Sequence, residues 1–128
     1  MTRTSFLTLA SLVAFAVATF ALGFPALLLA AKGVQPTPSV VVWVREVGAL
    51  IFAAGATTLM ARKSSDSSAL RAILMGNAVL HLGLLPIELL AFSNGVITQG
   101  MGVAPNSLLH LALLLGFLKF AREVKSGP

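Results

Sequence analysis

Residues 69–92 read ALRAILMGNAVLHLGLLPIELLAF, and the character of the chain follows from this stretch. It is long enough to cross a bilayer as a helix, because ~20 residues rising ~1.5 Å each cover the ~30 Å hydrocarbon core. Yet it carries Asn77, His81 and Glu88 among its aliphatic residues. An ionisable group in hydrocarbon costs ~2.5–3.5 kcal/mol by insertion scales, so each must face another polar group, water or a ligand. At ~100° per residue the three side chains fall within about 40° of one another, on one face. Pro86 interrupts the same helix. It leaves the carbonyl of Leu82 without its usual donor, beside His81, which gives a kink and a free acceptor.

Three more apolar stretches, about 6–31, 40–61 and 105–121, accompany this one. The expected architecture is all-α: a single membrane domain over 1–128, built as a bundle of four transmembrane helices. The first stretch is longer than a crossing needs and is predicted to break at Gly23-Phe24-Pro25. Its apolar run also exceeds the ~7–15 residues of a secretory signal, so it is expected to stay as a span. The fourth is predicted to begin at Pro105, a favoured first helical position.

Composition agrees. The chain is 57% hydrophobic and only 10% charged, with mean hydropathy +0.95, whereas soluble domains carry about 25% charged residues. With no cysteine, disulfide frameworks, thiolate metal sites and Cys nucleophiles are excluded. The net charge of +5 is not a nucleic-acid footprint, because the bases sit at segment ends rather than on one soluble face. Arg3, Arg62, Lys63, Arg71, Lys119, Arg122 and Lys125 all fall at the end that holds both termini, and Lys32 lies in a loop at the other. Since Lys/Arg bias in short loops sets orientation, both termini are expected on the cytoplasmic side of a plasma membrane.

The connectors differ. Residues 33–38, GVQPTP, form a short stiff link, because each Pro restricts itself and its predecessor. Residues 64–68 are a polar hairpin, and 93–102 mix Gly95, Gly100 and Gly102 with Val96, Ile97 and Met101, as in a mobile loop or a lid. Helices in lipid approach through small residues. Ala10, Ala14 and Ala18 form such a stripe. The pairs Gly48/Gly55 and Gly76/Gly83 are expected to seam the second and third spans together, or to serve a homodimer.

Counting ~1.5 Å per residue from the terminal end puts Asn77, His81 and Glu88 roughly 10, 16 and 27 Å deep. His110 comes about 16 Å deep on the fourth span, with Glu46 and Arg45 near ~22 and ~24 Å on the second. Arg45 and Glu46 point about 100° apart and cannot easily satisfy each other. Each needs a partner elsewhere, and Glu88 is nominated for Arg45. The expected ligand-binding set is therefore Arg45, Glu46, Asn77, His81, Glu88 and His110, lining a polar funnel that opens away from the termini.

Such a funnel suits an amphiphilic small molecule or a membrane lipid, with acid–base chemistry open to a desolvated Glu46 or Glu88 beside a histidine. No nucleophile elbow, HExxH pair or phosphate-binding glycine loop is present, and no metal or cofactor is required. Other classes remain open at this level. Two histidines at one depth suit axial haem ligation in a redox subunit. Charges awaiting partners suit an accessory subunit of a larger membrane complex. A proton-coupled transporter would need an oligomer, since four short helices enclose little volume.

The run Arg45-Glu46-x-Gly48, followed by Gly55, Arg62 and Arg71 and then a polar third span bearing His81, resembles the small bacterial four-helix membrane proteins of the DoxX-like families. That resemblance implies a bacterial inner-membrane protein, from a group sometimes associated with quinone-linked redox complexes. The polar third span is also similar to that of sterol-isomerase-like membrane proteins, which use acids and a histidine in a bundle cavity.

Overall fold

Pro25 decides how the first apolar stretch folds, because its missing N–H and fixed φ suit the start of a helix and not its middle. The computed structural model describes residues 1–125; the last three residues of the expected domain lie outside that range. Helix α1, Arg3–Gly23, is capped by Thr2, whose side chain accepts from the Ser5 N–H. Phe24, at φ −132° and ψ 48°, ends it, and α2, Pro25–Ala31, restarts with Pro at its first turn. The predicted break is therefore present.

The same chemistry starts the next helices. Thr37 caps α3, Pro38–Ala61, again with Pro in the first turn, and Ser67 caps α4, Ser68–Ser93. Helix α5, Gly100–Glu123, begins upstream of the predicted Pro105, which lies inside it. Both Pro105 and Pro86 lack the N–H that would ordinarily bond the carbonyls of Met101 and Leu82. Four of the five helices (α1, α3, α4 and α5) are long and apolar enough to cross a membrane, and no strand occurs among the described residues. Leu50, Met60 and Ile87 are 65–81% exposed, as expected where lipid is the solvent.

The helices pack as two pairs, α1 with α3 and α4 with α5. This corrects the expected seam between the second and third spans. Gly48 lies against Ala21 and Leu22, and Gly55 against Ala14 and Phe15, so both glycines of α3 serve α1. Gly76 and Gly83 of α4 have nothing within 4 Å of where a Cβ would stand. Accordingly, Gly48→Ile should destabilise the detergent-solubilised protein by about 1–3 kcal/mol through overpacking. Gly83→Ile should leave thermal unfolding within about 0.5 kcal/mol of wild type. Equal losses from both would contradict the pairing.

The two pairs join chiefly at the terminal end. There Phe6 packs edge-on against Phe117 at 5.0 Å and beside Phe120 at 5.2 Å, over a core that includes Leu7, Leu70, Leu74 and Leu114. Gly116 makes the room, since a Cβ there would stand 2.2 Å from the Phe6 ring. Farther along, α3 and α4 separate around a gap of about 210 Å³ lined by Ala54, Thr57, Ile73, Gly76, Asn77 and Leu80.

A polar latch closes the terminal end. Asp66, in the α3–α4 loop, accepts from the Arg3 guanidinium at 2.5 Å and from the Lys125 backbone N–H at 3.0 Å. The Arg3 hydrogen bond, and after it the Lys125 N–H, hold the Asp66 carboxyl below the usual carboxylate range. For an acid whose folded pKa is depressed, the stabilisation is present above its unfolded pKa and lost as pH falls through the folded one. Exchange of the Lys125 amide, taken relative to its intrinsic rate at each pH, should thus accelerate on acidification in wild type. In Asp66→Asn it should already be fast at neutral pH; slow exchange there would dismiss the latch.

Candidate functional site

The α4 row that faces α5 runs Leu70, Leu74, Ala78, His81, Leu85 and Glu88, so the period that buries aliphatic side chains also carries a histidine and an acid inward. Glu88 is only 6% exposed, and it is satisfied from two directions. From α5, the Asn106 amide nitrogen donates to both carboxylate oxygens at 2.9 Å, and the Ser107 hydroxyl donates at 3.1 Å. From the far side comes the Lys32 ammonium, an ion pair that joins α4 to the end of α2. A buried carboxylate needs this much company.

Lys32 is delivered by local structure. It caps α2, and its backbone carbonyl accepts from the N–H groups of Thr98 and Gln99 at 3.1 and 3.2 Å. The Thr98 hydroxyl bonds the carbonyl of Gly33 at 3.2 Å. The expected lid residues therefore dock on the α2–α3 connector, and Ile97 is buried beneath them. Gly102 permits the fit, because a Cβ there would stand 2.5 Å from the Ala31 carbonyl oxygen.

The network continues inward. The same Asn106 amide nitrogen lies 3.2 Å from His110 Nε2, and His110 Nδ1 lies 3.0 Å from His81 Nδ1. His81 stacks on Phe117, with ring centroids 5.7 Å apart, and there the polar chain meets the aromatic core. Proton positions follow from the acceptors. A carboxylate only accepts, so Asn106 must turn its NH₂ to Glu88, and its second N–H then reaches His110 Nε2. With Nε2 accepting, His110 carries its proton on Nδ1 and donates it to His81 Nδ1. His81 is left protonated on Nε2. One ammonium, one carboxylate and two neutral imidazoles sum to zero charge.

A cavity of about 190 Å³ borders this network, lined by the polar Lys32, Glu88, Asn106 and His110 together with the apolar Leu84, Ile87, Ala91 and Ile97. Of the residues nominated from sequence, Glu88 and His110 line it, and His81 stands behind His110. Asn77 does not reach it. Its amide donates to the Ile73 carbonyl at 2.9 Å, and it borders the α3–α4 gap instead. Arg45 and Glu46 are exposed on α3 and make no ion pair among the described residues. The partner of Glu88 is therefore Lys32 and not Arg45.

Sequence reading missed Lys32, Asn106 and Ser107 as partners of Glu88. One signal pointed to Lys32: it is the lone basic residue in the loops at the end where Glu88 lies. The two histidines touch each other, closer than the ~4 Å that two trans ligands at ~2.0–2.1 Å would span across one metal ion. As arranged, the two rings are hydrogen-bonded to each other. Among the described residues, no group of three or more His, Asp or Glu side chains is placed to hold a metal. No protein-family profile, curated protein or solved structure matches the chain.

Proposed function

We propose that this chain binds the polar head of an amphiphile in the cavity between α4, α5 and Lys32, while the tail lies along the outside of α4. The observation that carries this reading is the uneven saturation of the network. Glu88 receives donors from Lys32, Asn106 and Ser107 and has little capacity left. Lys32 spends one of three ammonium protons on Glu88 and keeps two. A fitting head therefore offers acceptor oxygens, as a carbonyl or ester does, and carries no net charge, because the site is already neutral. The cavity is smaller than the ~300–1,000 Å³ of drug-sized pockets, so it accommodates a head and not a whole lipid. Ile87, on the cavity wall, is 65% exposed on the outer face of α4, a route by which a tail reaches the bilayer.

The setting we propose is a bacterial inner membrane with both termini cytoplasmic. It is supported by the seven basic residues at the terminal end against Lys32 at the other, and by the resemblance to DoxX-like proteins. Acid–base work on the bound head would fall to His110, which lines the cavity. Native mass spectrometry of protein released from gentle detergent tests the binding. Wild type should retain an oxygen-rich amphiphile that Lys32→Met and the cavity-filling Ile97→Trp both lose. Bare wild-type protein, or identical adducts on both variants, would remove the reading.

A further inference from the structure

Helix α3 leaves one side to lipid, and that side carries both charges the cavity does not use. Gly48 and Gly55 fix the opposite side against α1. On the free side, Val42, Glu46, Ala49, Ala53, Ala56 and Met60 follow one another at steps of four, three, four, three and four. All are exposed except Ala56, which is half-buried. This is the seven-residue period of a helix seam, and its middle is built of alanine, which lets two backbones approach. Glu46 lies about 12 Å along a helix of about 36 Å, inside the hydrocarbon rather than at its edge.

We infer that this side of α3 docks against the same side of α3 in a second copy of the chain, with Glu46 of each copy paired to Arg45 of the other. Charge complementarity selects the occupant. In a parallel two-helix seam a residue at the Glu46 position packs among four residues of the facing helix. One of them is the residue just before the equivalent position, which here is Arg45. A two-fold axis along the membrane normal then brings one Arg and one Glu together twice at equal depth. Each buried charge is answered without help from the rest of its own chain. Within one copy the two side chains diverge by about 100° and cannot do this. The axis also keeps both copies in the same orientation, as the one-sided basic residues require. Trp43, 67% exposed beside the seam, would flank the contact.

The absence of cysteine makes the test clean. Ala49→Cys in the full chain, oxidised in native membranes, should give disulfide-linked dimers at least tenfold more readily than Leu89→Cys, which is also exposed, on α4. Adding Arg45→Glu to Ala49→Cys should abolish that excess, and adding Arg45→Glu with Glu46→Arg should restore it. Circular dichroism in detergent checks that each variant folds, and native mass spectrometry reports the copy number of the cysteine-free wild type. Equal cross-linking at Ala49 and Leu89, or cross-linking indifferent to the single reversal, would overturn the interface. So would a monomeric wild type. The cavity reading does not depend on any of these results.

Discussion

Glu88→Leu and Lys32→Met, made separately, should each lower the stability of the detergent-solubilised protein by about 3 kcal/mol, while the double variant should lose far less than the sum. Removing Glu88 strands the Lys32 ammonium and takes the acceptor from Asn106 and Ser107. Removing Lys32 leaves a carboxylate, 6% exposed, with only neutral donors. Breaking one half of a buried pair costs ~3–5 kcal/mol, and Lys32 keeps a quarter of its side chain accessible, which places the loss at the lower end. In the double variant no charge is left unanswered. Unfolding followed by circular dichroism, assembled as a double-mutant cycle, gives the coupling directly. Additive losses would show that the two residues act independently.

Asn106→Leu should cost about 2 kcal/mol, although it changes no charge and little volume. Among the described residues, the amide nitrogen of Asn106 links Glu88 to the histidines by hydrogen bonds. Its removal leaves Glu88 to Lys32 and Ser107, and leaves His110 Nε2 without a donor. The variant should remain folded, yet lose the retained amphiphile as completely as Lys32→Met does. Asn106→Gln is the informative contrast: the amide is kept but displaced by a methylene, so stability should recover in part while binding does not. Wild-type stability in Asn106→Leu would mean that the amide bridges nothing.

The four spans were legible because length and hydropathy leave a chain like this no other solvent. The break at Gly23-Phe24-Pro25 was legible because proline chemistry is local. Counting along helices gave His81 and His110 a common depth, and they touch. Partner choice was not legible in the same way. Arg45 was nominated for Glu88 because straight helices and depth were all that could be counted. Lys32 reaches Glu88 because α2 breaks away from α1 and residues 98 and 99 dock on the Lys32 carbonyl, and neither fold-back has a period to read. The glycine seams failed likewise. Spacing shows that Gly48 and Gly55 share a face, but only the assembled bundle shows that α1 occupies it. Asn77 shares an angle with His81 and Glu88, yet it falls at the edge of the α4 row and turns to its own backbone.

Glu88, held by Lys32, orders the proton positions of both histidines through Asn106. Nitrogen-15 NMR of histidine-labelled protein in bilayers reads those positions directly. We expect His110 protonated on Nδ1 and His81 on Nε2, both neutral near pH 7, with coupling across the Nδ1–Nδ1 hydrogen bond that vanishes in Asn106→Leu. Two uncoupled imidazoles in the same tautomer, unchanged by Asn106→Leu, would contradict it.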